Sequence, residues 1–135
     1  MAFDSIDIRV YYEDTDCGGV VYHSQYLNFF ERGRTEWLRA LGYMQSSLVK
    51  DDVIFAVSRA DTRFKQPARF DDLLQVKTKL VKLGRASMGF NQQLVKGDTV
   101  MCEAHVTVGC LSGQSFKPKK IPQDMYQTLQ AHLSA

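Results

Sequence analysis

One stretch concentrates residues able to do chemistry: Tyr12-Glu13-Asp14-Thr15-Asp16-Cys17-Gly18-Gly19-Val20-Val21-Tyr22-His23. It holds neighbouring carboxylates, two glycines that let a backbone approach a ligand, and a histidine. It runs directly into a segment with helical periodicity. A helix N-terminus carries unpaired N–H groups and partial positive charge, so it can hold a carbonyl oxygen that is gaining negative charge. A carboxylate facing that oxygen could attack an acyl carbon or activate water. On residue chemistry alone a plainer reading stands beside this one: Asp14 and Asp16 as turn formers, His23 as a capping or core residue.

Other chemistries find little support. Gly18-Gly19 fits neither the dinucleotide fingerprint nor the phosphate-binding loop with its lysine, and the serine-hydrolase elbow is missing. His23, His105 and His132 lie far apart and form no HxxxH pair, so no metal site is expected. Cys17, Cys102 and Cys110 are odd in number with no CxxC spacing, and Cys17 has no evident base to make it a nucleophile. Cys102 and Cys110 share the parity of Val100, Ala104, Val106 and Val108, as buried thiols of a reducing compartment would.

The elements that must position the Tyr12–His23 stretch follow from periodicity. Ile6, Ile8, Val10 and Tyr12 alternate with Asp7, Arg9 and Tyr11, which predicts a strand and puts Tyr12 on its core face. Tyr26, Phe29, Phe30, Gly33, Trp37 and Leu41 recur at three- and four-residue steps. They predict a helix from about Ser24 to Leu41, with Ser24 or His23 near its N-cap and Gly42 at its C-terminal stop. Its aromatics read as core. Glu31 and Arg34, one turn apart, are expected to pair as ions or else to shape a pocket. A short helical turn at 45–50 precedes four strand-like segments near 53–64, 74–80, 88–94 and 99–111. Gly97-Asp98 forms a tight turn, and the last strand carries Met101, Glu103, His105 and Thr107 on its outer face. A final amphipathic stretch runs from Pro122 to Leu133. One strand, one long helix and four strands make an α+β pattern with an antiparallel sheet covered by a helix.

Composition agrees. The 135 residues suit a single domain, 1–135, and 44% hydrophobic with 24% charged is an ordinary globular balance. Such a chain buries roughly two-thirds of its unfolded surface without disulfide or metal. Seventeen basic against fifteen acidic residues leave +2, too little to call for nucleic acid or an anionic membrane. No apolar run reaches the length of a membrane span and the N-terminus lacks a signal-peptide pattern, so a cytoplasmic protein without a transmembrane segment is expected.

These residues also resemble a known family. Tyr11-Tyr12-Glu13-Asp14-Thr15-Asp16, Gly18-Gly19-Val20-Val21-Tyr22-His23, and then Tyr26, Phe30, Glu31, Arg34, Thr35 and Glu36 are similar to the signature of hotdog-fold acyl-CoA thioesterases of the 4-hydroxybenzoyl-CoA thioesterase group. Within it they most resemble the YbgC-type enzymes associated with the Tol-Pal envelope system. The likeness extends through Pro67-Ala68-Arg69 and Asp71-Asp72 over nearly the whole chain. It implies a hotdog fold, an antiparallel sheet wrapped around a long central helix. It also implies a homodimer or homotetramer with sites at the interface, and hydrolysis of acyl-CoA without a cofactor, coenzyme A being part of the substrate.

The family's catalytic aspartate falls on Asp16, as nucleophile or as base. Its active-site histidine falls on His23, whose N–H would bind the thioester oxygen. The aromatic-acyl enzymes carry tyrosine at that position, so an aliphatic acyl group is implied. Arg85, with Ser87, falls where family members contact the nucleotide end of coenzyme A, and Tyr12 lies near the site. Lys117, Lys119 and Lys120 form a basic run that suits a solvated tail, coenzyme A phosphate or acyl carrier protein. A binding module for acyl carrier protein or envelope lipid enzymes, with residual thioesterase activity, is the competing reading. A dehydratase of the same fold would need another His/acid pattern. Acyl length depends on how Phe55, Phe64 and Met88 pack.

Overall fold

The computed structural model describes residues 4–134. Strand β1 (Asp4–Arg9) leads through one 3-10 turn (Tyr12–Asp14) to helix α1 (His23–Ala40), then a short α2 (Gln45–Leu48). Strands β2 (Ile54–Phe64), β3 (Leu73–Leu83), β4 (Ser87–Lys96) and β5 (Thr99–Leu111) follow, and α3 (Gln123–Ala131) closes the chain. The sheet runs β1-β3-β4-β5-β2, with every pairing antiparallel. This is the expected α+β order.

Helix α1 lies across the sheet on its aromatic stripe. Phe29 and Phe30 are fully buried, and Trp37 meets Phe90 of β4 edge-on at 5.4 Å. Burying a side chain of this size is worth about 1.5–3 kcal/mol. Gly33 lets the helix come close to the sheet, leaving no room for a side chain against Val76, Thr78 and Gln92. The helix stops where expected: Gly42 (φ +95°) donates to Arg39 O and Tyr43 to Leu38 O, the paired bonds of a glycine C-terminal cap. Its start comes one residue earlier than expected, with Tyr22 at the N-cap.

Two inward–outward assignments change. Tyr12 does not continue the strand's core face. The strand ends at Arg9, and the turn formers that follow coil the chain before Tyr12 is reached. The residue is 78% exposed and its ring lies flat on Phe70, 4.1 Å between centroids. Met101 points inward because Leu94 pairs with Cys102 while Val95 pairs with Val100, leaving Met101 as the extra residue of a bulge.

Strand β2 forms one edge of the sheet. The partners of its helix-facing residues on β5, from Cys102 to Cys110, are buried, yet β2 itself projects beyond the cover of α1. Val57 is 50% exposed and Phe64 45%, on the same face.

Candidate active site

The stretch from Thr15 to His23 is a clamped loop. Thr15 bridges Val21, Asp16 N–H donates to Val20 O at 2.9 Å, and Gly19 N–H donates back to Asp16 O at 3.0 Å. Gly19 takes φ +78°, which only glycine adopts without strain. The loop is sewn to the segment before β3 by Val21 N–H on Ala68 O (2.8 Å), Phe70 N–H on Gly19 O (3.2 Å) and a bridge between Val20 and Arg69.

On this loop the two aspartates part company. Asp14 is buried: Oδ2 accepts from Tyr11 N–H at 2.8 Å and Oδ1 from Gln25 Nε2 at 2.7 Å. Gln25 Oε1 accepts in turn from Asn28 Nδ2 (2.7 Å) and Tyr22 Oη (3.1 Å). Asp14 thus ties the exit of β1 to the first turn of α1. Asp16 is exposed; only its Oδ1 is engaged, accepting from Gly18 N–H at 2.8 Å. Its Oδ2 accepts no hydrogen bond among the described residues, and this is the carboxylate left available for chemistry.

His23 opens α1, and among the described residues no side chain caps the helix. The first-turn N–H groups therefore lack the Ser or Asp oxygen that usually closes such an end. The His23 ring is exposed and stacks on Phe64 at 4.5 Å. Phe64 also meets Tyr26 edge-on at 5.3 Å, and Tyr26 Oη accepts from Ala68 N–H at 3.0 Å. Burial pushes the Tyr26 hydroxyl above its ordinary value, so it stays neutral. A cleft of about 210 Å³ opens here, walled by Val20, Val21, His23, Tyr26 and Phe64–Pro67.

A second cavity of about 230 Å³ lies further along α1, against β2, β4 and β5. Leu38, Phe55, Val57, Met88, Phe90 and Val108 form its apolar wall; Glu31, Arg34, Thr35 and Gln45 form its polar one. The expected ion pair between Glu31 and Arg34 is not among the salt bridges of the described residues. Arg34 is only 8% exposed and donates from Nη1 to Gln92 Oε1 at 3.0 Å, while Gln92 Nε2 donates to Phe30 O and Thr78 Oγ1. Burial lowers the Arg34 pKa and the charge of Glu31 works against that shift. The pocket-shaping role is the one these residues take.

Arg85 and Ser87 are not brought to Asp16. They lie at the β3–β4 turn, level with Gly109 of β5 and Ala56 of β2, whereas the His23 ring lies on Phe64. Eight residues of strand separate Ala56 from Phe64, about 26 Å. Tyr12 stays with Phe70 outside the His23 cleft. Among the described residues no group of three or more His, Cys, Asp or Glu side chains could hold a metal, and no helix is long and apolar enough to cross a membrane. Gln25, Asn28 and Gln92 escape sequence reasoning about the site. Gln92 does leave a trace, as the polar member of the inward set Met88, Phe90, Leu94.

Residues 10–129 match the model of the thioesterase-like superfamily. The acyl-CoA thioester hydrolase YbgC of Escherichia coli is 40% identical over 119 residues, 87% of this chain and 89% of that protein. The acyl-CoA thioesterase YbgC of Haemophilus influenzae is 40% identical over 122 residues, 90% of each. Among solved structures, a probable thioesterase from Bartonella henselae superposes with a TM-score of 0.85 at 37% identity, covering 90% of this chain and all of the other.

Proposed function

The chain belongs to the thioesterase-like superfamily with the hotdog fold, and from that membership we infer that it is an acyl-CoA thioester hydrolase working through Asp16. The observation that carries the assignment of Asp16 is its free Oδ2, on a clamped loop that runs into an uncapped helix N-terminus. The thioester carbonyl oxygen sits at the N–H groups of His23 and the residue after it, where developing negative charge is stabilised. Asp16 Oδ2 adds to the acyl carbon, or takes a proton from the water that does. The C–S bond breaks and coenzyme A leaves as thiolate, to be protonated from solvent. By the first route an acyl–Asp16 anhydride forms and a water molecule cleaves it, restoring the carboxylate. By either route thioester and water become acid and thiol, and no cofactor is consumed. Turnover in ¹⁸O water separates the routes, because only the anhydride route can leave label in Asp16.

The working unit is a dimer joined through β2. Its outer edge has no strand partner among the described residues, and an edge of eleven residues with apolar side chains on one face is a template for another strand. Antiparallel pairing of two copies centred near Arg59 lays Phe55 of one beside the partner's Phe64. The partner's Asp16 loop then stands over the mouth of the 230 Å³ cavity, which becomes the acyl pocket. The same two-fold brings the Arg85–Ser87 turn toward the partner's loop, as a role with the coenzyme A phosphates requires. The cavity suits a short aliphatic acyl chain, since at ~30 Å³ per water-sized group it holds about eight heavy atoms. Cytoplasmic residence, the Tol-Pal association and contact with acyl carrier protein belong to the same proposal.

The test is thiol release from a panel of acyl-CoAs, short aliphatic to long-chain to benzoyl, by wild type and Asp16→Asn. Turnover that drops at least ~100-fold in a folded variant supports the reading. Negligible turnover by folded wild type, with acyl carrier protein retained by both forms, would replace it with the binding module.

A further inference from the structure

Arg34 is an anomaly in the acyl cavity. The residue is only 8% exposed, and Nη1–Gln92 is the one hydrogen bond its guanidinium makes among the described residues. Arginine carries five N–H donors. Ser134 Oγ is the one fully enclosed side-chain nitrogen or oxygen without a partner among the described residues. The remaining donors of Arg34 are therefore not sealed in protein; they open onto the cavity that Arg34 lines. Gln92 holds the group in place from behind, anchored by 2.9 Å bonds to Phe30 O and Thr78 Oγ1. Glu31, on the same helix face one turn earlier, lines the cavity as well, so a carboxylate acceptor stands near the free donors.

We propose that Arg34, with Glu31, is a specificity-determining pair that selects acyl groups bearing a hydroxyl or oxo oxygen beyond the thioester over plain alkyl chains of equal length. The inference rests on the acyl-CoA reading and names the substrate class of that site. The physical reason is asymmetry. An alkyl chain filling the cavity takes the guanidinium donors away from water and returns nothing, whereas an oxygen-bearing chain accepts from them, and a hydroxyl also donates to Glu31. Sites built to hydrogen-bond a substrate group reject the analogue lacking it far more strongly than apolar pockets discriminate by size.

The experiment uses the full chain carrying Asp16→Asn, so that binding is read without turnover. Calorimetric affinities are measured for hexanoyl-CoA, 6-hydroxyhexanoyl-CoA and 6-oxohexanoyl-CoA. The oxygenated chains should bind about tenfold more tightly or better, and Arg34→Met in the same background should bring the ratio to one or invert it. Glu31→Gln, at an exposed position that the fold tolerates, should weaken the preference for the hydroxyl but not for the oxo group. Equal affinities in the Asp16→Asn protein overturn the proposal, whatever the Arg34→Met protein does. A preference that survives Arg34→Met also overturns it. Failure of the hydrolase reading shows separately, as undiminished turnover by Asp16→Asn or none by wild type.

Discussion

Replacing Gly33 with alanine should destabilise the protein, against the direction of helix propensity. Alanine in a helix interior is favoured over glycine by about 1 kcal/mol. A methyl group at Gly33, however, would lie 2.6 Å from Val76 Cγ1, 2.8 Å from Thr78 Oγ1 and 3.0 Å from Gln92 Nε2. All three neighbours are buried, and two are bonded to each other. Relief requires α1 to rise from the sheet by about 1 Å, the gap between these approaches and ordinary carbon contacts near 3.5–4.0 Å. Overpacking of this kind costs about 1–3 kcal/mol, and stretching the bonds from Gln92 to Phe30 O and Arg34 adds about 1 more. Against the propensity gain, the net loss is about 1–3 kcal/mol, or roughly 4–12 °C in Tm for a chain of this length. Urea and thermal unfolding of Gly33→Ala measure it. Pairing the change with Val76→Ala, which removes the nearest clash, should give a double variant less destabilised than the sum of the two. A Gly33→Ala protein as stable as wild type would show that the helix–sheet contact is looser than its distances say.

The two aspartates of the loop should separate cleanly. Asp14→Asn puts an amide donor opposite Tyr11 N–H or Gln25 Nε2 and should cost about 1–3 kcal/mol in unfolding experiments, whereas Asp16→Asn should leave stability within about 0.5 kcal/mol. Equal losses would remove the distinction between a structural and a reactive carboxylate. Val57→Asp places a charge on the half-exposed face of β2 and should yield a folded monomer by sedimentation that hydrolyses acyl-CoA poorly; an active dimer would exclude this edge as the interface. Burial, with the charge of Glu103 adding, pushes the Cys102 thiol up to about 12, and burial raises Cys110 too. At pH 8 a group of pKa 12 is thiolate in about one molecule in 10⁴, so a thiol reagent should titrate one fast site, the exposed Cys17. Three fast thiols would contradict the buried placement of the β5 cysteines.

The order of elements is legible because each carries its own period, two along β5 and about 3.6 along α1, and because Gly19, Gly42 and Gly97 mark three of the turns, although Asp52, Asp71 and Phe116 take positive φ without a glycine. Parity alone misplaces Tyr12, because the alternation persists through its position although the strand does not. Nothing in Ile6-Ile8-Val10-Tyr12 shows that the turn formers Glu13 and Asp14 pull the chain out of the sheet first. Met101 needs knowledge of its partner strand, since a bulge is a property of two strands. One-turn spacing pairs Arg34 with Glu31 in the sequence, while Gln92, 58 residues away, leaves no such local mark. The site divides likewise. Asp16 and His23 share one short loop and could be found together; the cavity draws on α1, α2, β2, β4 and β5 and exists only after folding.

That division leads to a test of how the halves combine. If the reactive carboxylate and the acyl cavity come from different protomers, their defects should complement. Asp16→Asn protomers retain an intact cavity and Arg34→Met protomers an intact carboxylate. Refolded together in equal amounts, half the dimers are mixed, and each mixed dimer has one site in which both parts are whole and one in which neither is. About one quarter of all sites should then be intact, since a two-fold interface exchanges the same surfaces in both directions. The mixture should recover about a quarter of the wild-type selective turnover of 6-hydroxyhexanoyl-CoA, above the unselective turnover of the quarter of sites that lie in Arg34→Met homodimers, although neither variant alone shows selective hydrolysis. Were both parts of one site carried by a single protomer, mixing would create no intact site, and only the unselective turnover of Arg34→Met would remain. That result would refute the β2 dimer as the arrangement that builds the site, while leaving Asp16 and Arg34 their separate roles.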